Sequence, residues 1–145
     1  MSVVREEDVG IRAFQMGDYD AALGLWKRCA GVGLSSADEP GPLAAFLERN
    51  PGLSFAAWAG ERLVGTSLCG SDGRRGYLYH VAIDPAYRLR GIGSRLASSS
   101  LGALASTGVM KCHLFVLADN ESGAAFWRAA GWTPRGDIAV FSKSL

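Results

Sequence analysis

The alternation of apolar and polar positions changes period several times along the chain. After a polar lead-in at residues 1 to 10, Ile11-Arg12-Ala13-Phe14 alternates as a short strand. From Asp18, a candidate N-cap, Ala22, Leu25, Trp26 and Cys29 recur toward one face, which predicts a helix ending at Gly31. A loop, GVGLSSADEP, leads to a shorter helix in PLAAFLERN, with Pro42 near its first turn and Pro51-Gly52 closing it. The period then drops to two. Residues 53–59 and 62–69 read as strands around a tight turn at Gly60-Glu61, and GSDGRRG turns the chain into a third strand at residues 77–83.

Beyond Ile83 the chain breaks at Asp84-Pro85 and reaches Arg88-Leu89-Arg90-Gly91-Ile92-Gly93. Residues 94–106 then place Ala97, Leu101 and Leu104 on a helical stripe, and residues 111–117 return as a strand. A strand, helix and strand joined in this way form a right-handed parallel crossover. A helix over residues 121–130, capped by Asp119 or Asn120 and stopped by Gly131, leads to closing strands at residues 132–134 and 138–141 around a turn at Arg135-Gly136-Asp137. The expected fold class is therefore α+β: a mixed, mostly antiparallel sheet of about six to seven strands with about four helices. Neither a repeat nor an interdomain linker interrupts it, so one domain is expected.

Composition narrows the classes of partner. The 145 residues carry 15 Lys plus Arg against 14 Asp plus Glu, a net charge of +1, which gives no general attraction to nucleic acid or to anionic membranes. No apolar run approaches the ~20 residues of a membrane span, and the first ten residues show no signal-peptide core. Cys29, Cys69 and Cys112 form no CxxC pair and fit no nucleophile constellation; they read as reduced thiols of a cytoplasmic protein. No metal site is expected, because His80 and His113 lie on separate apolar strands without clustered carboxylates.

The stretch between the third strand and its helix carries the chemistry. Gly91 and Gly93 permit close approach and positive φ, so amides at the helix start can converge on an anion, with Arg88 and Arg90 adding charge. It is not a dinucleotide fingerprint, since Leu96 stands where a third small residue belongs. Nor is it a nucleotide-triphosphate loop, because Ser71 occupies the lysine position after Gly65 and Gly70.

Arg88-x-x-Gly91-x-Gly93, preceded by Val81-Ala82-Ile83-Asp84-Pro85, resembles the GNAT superfamily of N-acetyltransferases, whose signature [R/Q]-x-x-G-x-[G/A] holds the pyrophosphate of acetyl-coenzyme A. Asn120 followed by Ala124-Ala125-Phe126-Trp127-Arg128-Ala129-Ala130-Gly131-Trp132 is similar to the family's second block, so the likeness covers residues 9 to 145, as in a small single-domain member. The resemblance implies transfer of an acetyl group from acetyl-coenzyme A to a primary amine of a small molecule or peptide, without a metal or an acyl-enzyme. It implies that Val81, Ala82 and Ile83 grip the pantetheine arm, with the Val81 N–H polarising the thioester oxygen, and that Arg88, Leu89, Arg90, Gly91, Ile92, Gly93 and Ser94 hold the pyrophosphate. Asn120 contacts the pantetheine or orders its helix, and Phe126 and Trp127 wall the cofactor arm. Trp127 stands where many relatives have a tyrosine that protonates the leaving thiolate.

For acid and base the candidates are Tyr79 and His80. By alternation Tyr77, Tyr79 and Val81 share one face and Leu78, His80 and Ala82 the other, unless a bulge brings His80 round. Asp38 and Glu39 lie in the loop joining the two helices that wall the acceptor cleft in the family, and there they can attract a cationic amine. An alternative of another class is an acyl-coenzyme A sensor without turnover. A homodimer paired through the closing strands or outer helices stays open.

Overall fold

The computed structural model describes residues 8–145, so most of the polar lead-in expected at residues 1 to 10 lies outside the described residues. The chain divides into two compact units, the first ending at Phe115 and the second comprising Val116–Leu145.

In the first unit a single sheet has the strand order β1 (Val9–Ala13), β2 (Phe55–Ala59), β3 (Arg62–Ser71), β4 (Gly76–Ile83) and β5 (Cys112–Leu114). The first three pairings are antiparallel, and β4 pairs with β5 in parallel, with Gly76 opposite Cys112 and Leu78 opposite Leu114. Helices α1 (Tyr19–Arg28) and α2 (Pro40–Arg49) connect β1 to β2, and α3 (Ile92–Ala105) makes the crossover from β4 to β5. Neighbouring sheet residues divide between two cores. Ala56 and Leu63 pack with Leu25 and Trp26 of α1 and Leu43 of α2, whereas Ala57 and Val64 pack with Ile92 and Leu96 of α3. Since successive strand residues point to opposite faces, α1 and α2 cover one face of the sheet and α3 the other.

Two glycines set how closely these layers approach. A Cβ at Gly65 would stand 2.8 Å from Leu96 Cδ1, and one at Gly76 would overlap the Leu104 side chain, so α3 lies directly on β3 and β4. Helix α3 begins at Ile92, inside the glycine motif, two residues earlier than the expected start at residue 94. The physical reason is Ile92 itself, which is buried against Leu96 one turn on.

The second unit holds α4 (Glu121–Ala129). Asn120 caps it, its Oδ1 accepting from the Gly123 N–H at 3.0 Å, and Gly131 (φ +93°) ends it. Trp127 meets the rings of Phe126 and Trp132 edge-on at 4.8 and 5.2 Å. The expected turn at residues 135–137 is present, closed by Arg135 donating to Asp137 at 2.9 and 3.0 Å.

Among the described residues four helices match the expectation, but the sheet has five strands and not six to seven. Residues 132–134 and 138–141 are not strands, because neither segment has a backbone ladder partner among the described residues and Pro134 has no N–H to donate. Ile138, Val140 and Phe141 are accordingly exposed.

Candidate functional site

Strand β4 changes character halfway along. Its pairing with β3 runs from Ser71–Gly76 to Leu68–Tyr79, then shifts register before Thr66–Ala82, leaving His80 and Val81 opposite Ser67. At this bulge His80 takes a left-handed conformation, φ +48°, which is uncommon for a non-glycine residue. The strain is held in place from the interior. The hydroxyl of Thr66 donates to the His80 carbonyl at 2.7 Å, and the indole N–H of Trp26 donates to the same Thr66 oxygen at 2.9 Å. Thr66 and Trp26 are fully buried, so this chain of bonds is shielded from water and correspondingly firm.

The bulge overturns the strict alternation expected for this strand. Tyr79 lies edge-on to Phe46 of α2 at 6.0 Å, His80 packs on Trp26 of α1 at 4.7 Å, and Ala82 joins the α1/α2 core. Tyr77, Tyr79, His80 and Ala82 therefore share the α1/α2 face, while Ile83 packs with the α3 core. His80 does not face away from Tyr79; the extra residue turns it round.

On that face Nε2 of His80 lies 2.6 Å from Asp38 Oδ1, in a pair whose side chains are only 13% and 12% exposed. Against an ionised carboxylate Nε2 takes the donor role, and in the neutral ring Nδ1 is then the nitrogen that carries the lone pair. Asp38 is itself anchored. Ser35 and Asp38 cap one another around the short turn Ser36–Asp38, and the Tyr19 hydroxyl donates to the Asp38 carbonyl at 2.6 Å. A histidine oriented by a carboxylate is the usual composition of a general base. Tyr79 is suited to the opposite role. Burial, with the neighbouring Tyr77 and Cys112, raises its phenol above the ordinary value, so it stays protonated and can donate.

The other edge of β4 supplies backbone chemistry. Beyond Leu78 no strand pairs with β4 on the β5 side among the described residues, so the Tyr79–Ile83 edge has peptide groups free to bond a tether. Val81 sits in this edge. The Ile83 carbonyl at its end accepts from Arg88 Nε at 3.2 Å and lies 3.5 Å from the Cys29 thiol.

The edge runs straight into the glycine loop. Asp84, 4% exposed at its side chain, receives Arg62 at 2.8 Å, Arg28 at 3.1 Å and the Ala86 N–H at 2.9 Å. Burial alone would raise its carboxyl, but the two guanidinium groups and the amide outweigh it and leave Asp84 below the usual carboxylate value. Leu89 (φ +62°) and Gly91 (φ +76°) are left-handed, and Gly91 caps α3 with no side chain over the helix start. A Cβ at Gly91 would meet nothing within 4 Å, so no described group crowds that side of the turn, and the helix dipole favours an anion at the amides that start α3. Arg90 folds back, donating to the Ala86 carbonyl at 3.2 Å over the Tyr87 ring. Arg88 and Arg90 thus build the turn as well as charging it.

Asn120, Phe126 and Trp127 belong to the second unit, where Asn120 orders its helix. Sequence reading missed Thr66 and Trp26 as supports of the bulge, Arg28 and Arg62 as partners of Asp84, and the pairing of Asp38 with His80. Only the Ser35-x-x-Asp38 capping pattern hinted that Asp38 is held in place.

Residues 19–132 match the model of the acetyltransferase (GNAT) family. An acetyltransferase of Pectobacterium atrosepticum is 33% identical over 112 residues, covering 77% of this chain and 79% of that protein. An acetyltransferase of Sodalis glossinidius is 28% identical over 135 residues, covering 93% of this chain and 94% of that one. Among solved structures, the PaiA N-acetyltransferase of Thermoplasma acidophilum, in complex with coenzyme A, has the same fold. Its TM-score is 0.74 at 18% identity, covering 84% of this chain and 87% of that one.

Proposed function

The chain belongs to the acetyltransferase (GNAT) family, and on that premise we propose that it transfers an acetyl group from acetyl-coenzyme A directly to a primary amine. The observation that carries the reading is the bulge in β4, which sets His80 beside Tyr79 on one face of a strand whose other edge is unpaired beyond Leu78 and leads into the glycine loop. Bound at that edge, acetyl-coenzyme A supplies a thioester open to attack by an amine.

The residues divide the work by chemistry. The amides of Ile92, Gly93 and Ser94, with the Arg88–Gly91 turn, hold the diphosphate. The peptide groups of Val81, Ala82 and Ile83 hold the pantetheine arm, and the Val81 N–H faces the thioester oxygen as charge develops on it. At neutral pH most alkylamines are protonated. Nδ1 of His80, directly or through one water, takes that proton, and Asp38 keeps the ring oriented. Tyr79 donates a proton toward the leaving thiolate, a modest contribution because a thiol near pKa 8.5 already leaves readily. Trp127 has no labile proton, so the acid role does not fall to it.

The family match runs across the end of the first unit, which supports one acetyltransferase domain over residues 9–145. Three free cysteines suit a reducing compartment, and we place the protein in the cytoplasm. No described helix is long and apolar enough to cross a membrane. A sensor that binds without turnover is not favoured, since the relatives are acetyltransferases and His80 is paired with a carboxylate. The test is calorimetry with coenzyme A together with thiol release from acetyl-coenzyme A across an amine panel. Binding with turnover on at least one amine is expected; a folded protein that ignores coenzyme A refutes the reading.

A further inference from the structure

On the α1/α2 face, with Tyr77 and Tyr79 of β4 in its wall, a cleft of about 430 Å³ opens between the end of α2 and the β3–β4 turn. Its walls are aromatic. Phe46 meets Tyr79, Tyr79 stacks on Tyr77 at 6.4 Å, and Tyr77 continues to His113 and Phe115 at 5.7 and 6.3 Å. Gly70 makes the floor: a Cβ there would stand 2.5 Å from the Phe46 ring, so only glycine lets Phe46 lie flat against β3.

The polar groups of this cleft are unequally committed. Asn50 is used up, Nδ2 donating to the Phe46 carbonyl and Oδ1 accepting from the Ser71 N–H. Asp72 accepts the N–H groups of Arg74 and Arg75, which hold its carboxyl below the usual value. Arg49, by contrast, lines the cleft with its guanidinium in no ion pair or hydrogen bond among the described residues, and the Tyr77 and Tyr79 hydroxyls likewise have no partner there. Aromatic walls with uncommitted donors suit a flat ring and a carboxylate, for which arginine offers a two-pronged match. They do not suit a polycation, which would meet Arg49 and, among the lining residues, Asp72 as a single carboxylate.

Resting on the acetyl-transfer reading above, we propose that the acceptor is an arylmethyl- or arylethyl-type primary amine bearing a carboxylate. Its ring stacks on Tyr77 and Tyr79, its carboxylate pairs with Arg49, and its amine points along β4 toward His80. One ring with a short arm fits the cleft volume, and the step from Tyr79 to His80 is about 3.3 Å along the strand.

The test compares kcat/KM for para-aminomethylbenzoate, benzylamine, cyclohexylmethylamine and kanamycin in the full chain, with the coenzyme A thermal shift measured beside it. We expect the benzoate to exceed benzylamine by about tenfold or more, and benzylamine to exceed the cyclohexyl amine by roughly threefold. Arg49→Gln brings the first ratio close to one, Arg49→Lys keeps part of it, and Tyr77→Leu removes the second. Each variant must retain the coenzyme A shift, which certifies its fold. If coenzyme A stabilises the protein but kanamycin or the cyclohexyl amine is preferred, or Arg49→Gln leaves the first ratio intact, the acceptor assignment is overturned while acetyl transfer stands. If coenzyme A leaves the wild-type melting temperature unmoved, acetyl transfer itself falls and the acceptor assignment with it.

Discussion

Up to Leu78, β4 is hydrogen-bonded on both sides, to β3 and to β5, and its side chains alternate faces as a regular strand requires. From Tyr79 it keeps β3 alone, admits a left-handed residue at His80, and presents side chains to α1 while baring backbone on the opposite edge. The regular half builds a surface against which an acceptor can lie. The irregular half carries the reactive groups. Regular pairing uses every peptide group, so a strand that must also bind a ligand through its backbone has to give up a ladder somewhere. Here it gives one up on the β5 side, and on the β3 side Thr66 and Trp26 hold the bulge.

The sharpest way to break this division is at His80. Asparagine tolerates the left-handed region better than most residues, so His80→Asn keeps the bulge while removing the base. We expect kcat to fall by about 10²-fold or more, the range of general base catalysis, with KM for acetyl-coenzyme A changed by no more than about twofold. Asp38→Asn acts only through ring orientation and should lower kcat less, with Asp38→Glu recovering part of the loss. Steady-state kinetics at saturating acetyl-coenzyme A decides it. A fall confined to KM for the cofactor would move His80 out of the acid–base role.

The cofactor end breaks differently. Gly91→Val forces a β-branched residue into φ +76° at the start of α3, a conformation that costs such a residue roughly 1–3 kcal/mol. Coenzyme A affinity by calorimetry should weaken about tenfold to a hundredfold, with the kcat of the protein that still binds far less affected. Affinity lost at Gly91 and turnover lost at His80 would show the two halves to be separable.

These two sites were unequally legible in the sequence. The glycine loop is a local device: Arg88, Gly91, Gly93 and the helix after them are contiguous, and each residue type states its own reason for being there. Elements with strong periodicity, such as α1 and β3, were equally readable. The pairing of Asp38 with His80 joins residues 42 positions apart. It depends on a bulge that replaces a period of two by a single extra residue, and no spacing rule announces that. Thr66 reads as an ordinary strand residue until its hydroxyl is seen on the His80 carbonyl. The closing strands failed for the opposite reason: residues 138–141 have strand-forming side chains, but a strand also needs a ladder partner.

A smaller effect separates architecture from chemistry at Asp84. Its carboxyl lies below the ordinary value when folded, so the stability it contributes is fully present above the unfolded value of about 3.9. That contribution is lost as pH falls through the lower folded value. Asp84→Asn should lower the melting temperature by a few degrees near neutral pH, as expected for losing about 1–2 kcal/mol. The gap to wild type should close as pH drops below about 4, which calorimetric scans across pH would record. A gap independent of pH would mean that Asp84 acts through packing and not through Arg28 and Arg62.

The least sensitive groups should be the cysteines, and that insensitivity bears on mechanism. Burial pushes Cys69 up to about 12 and Cys112 up to about 11, and it raises Cys29 against the opposing pull of Arg88. At pH 8 a thiol titrating near 11 is about one part in a thousand thiolate, against roughly a quarter for a free cysteine. Alkylation of Cys112 by iodoacetamide should therefore run on the order of 100-fold slower than that of free cysteine. Cys112→Ser should keep kcat within about twofold, because an acetyl group passed directly to the amine never rests on sulfur. Retention of radiolabelled acetyl on the denatured wild type after incubation with acetyl-coenzyme A, and its loss in Cys112→Ser, would instead make the strand that flanks β4 a covalent participant and reverse the assignment of work between the two halves.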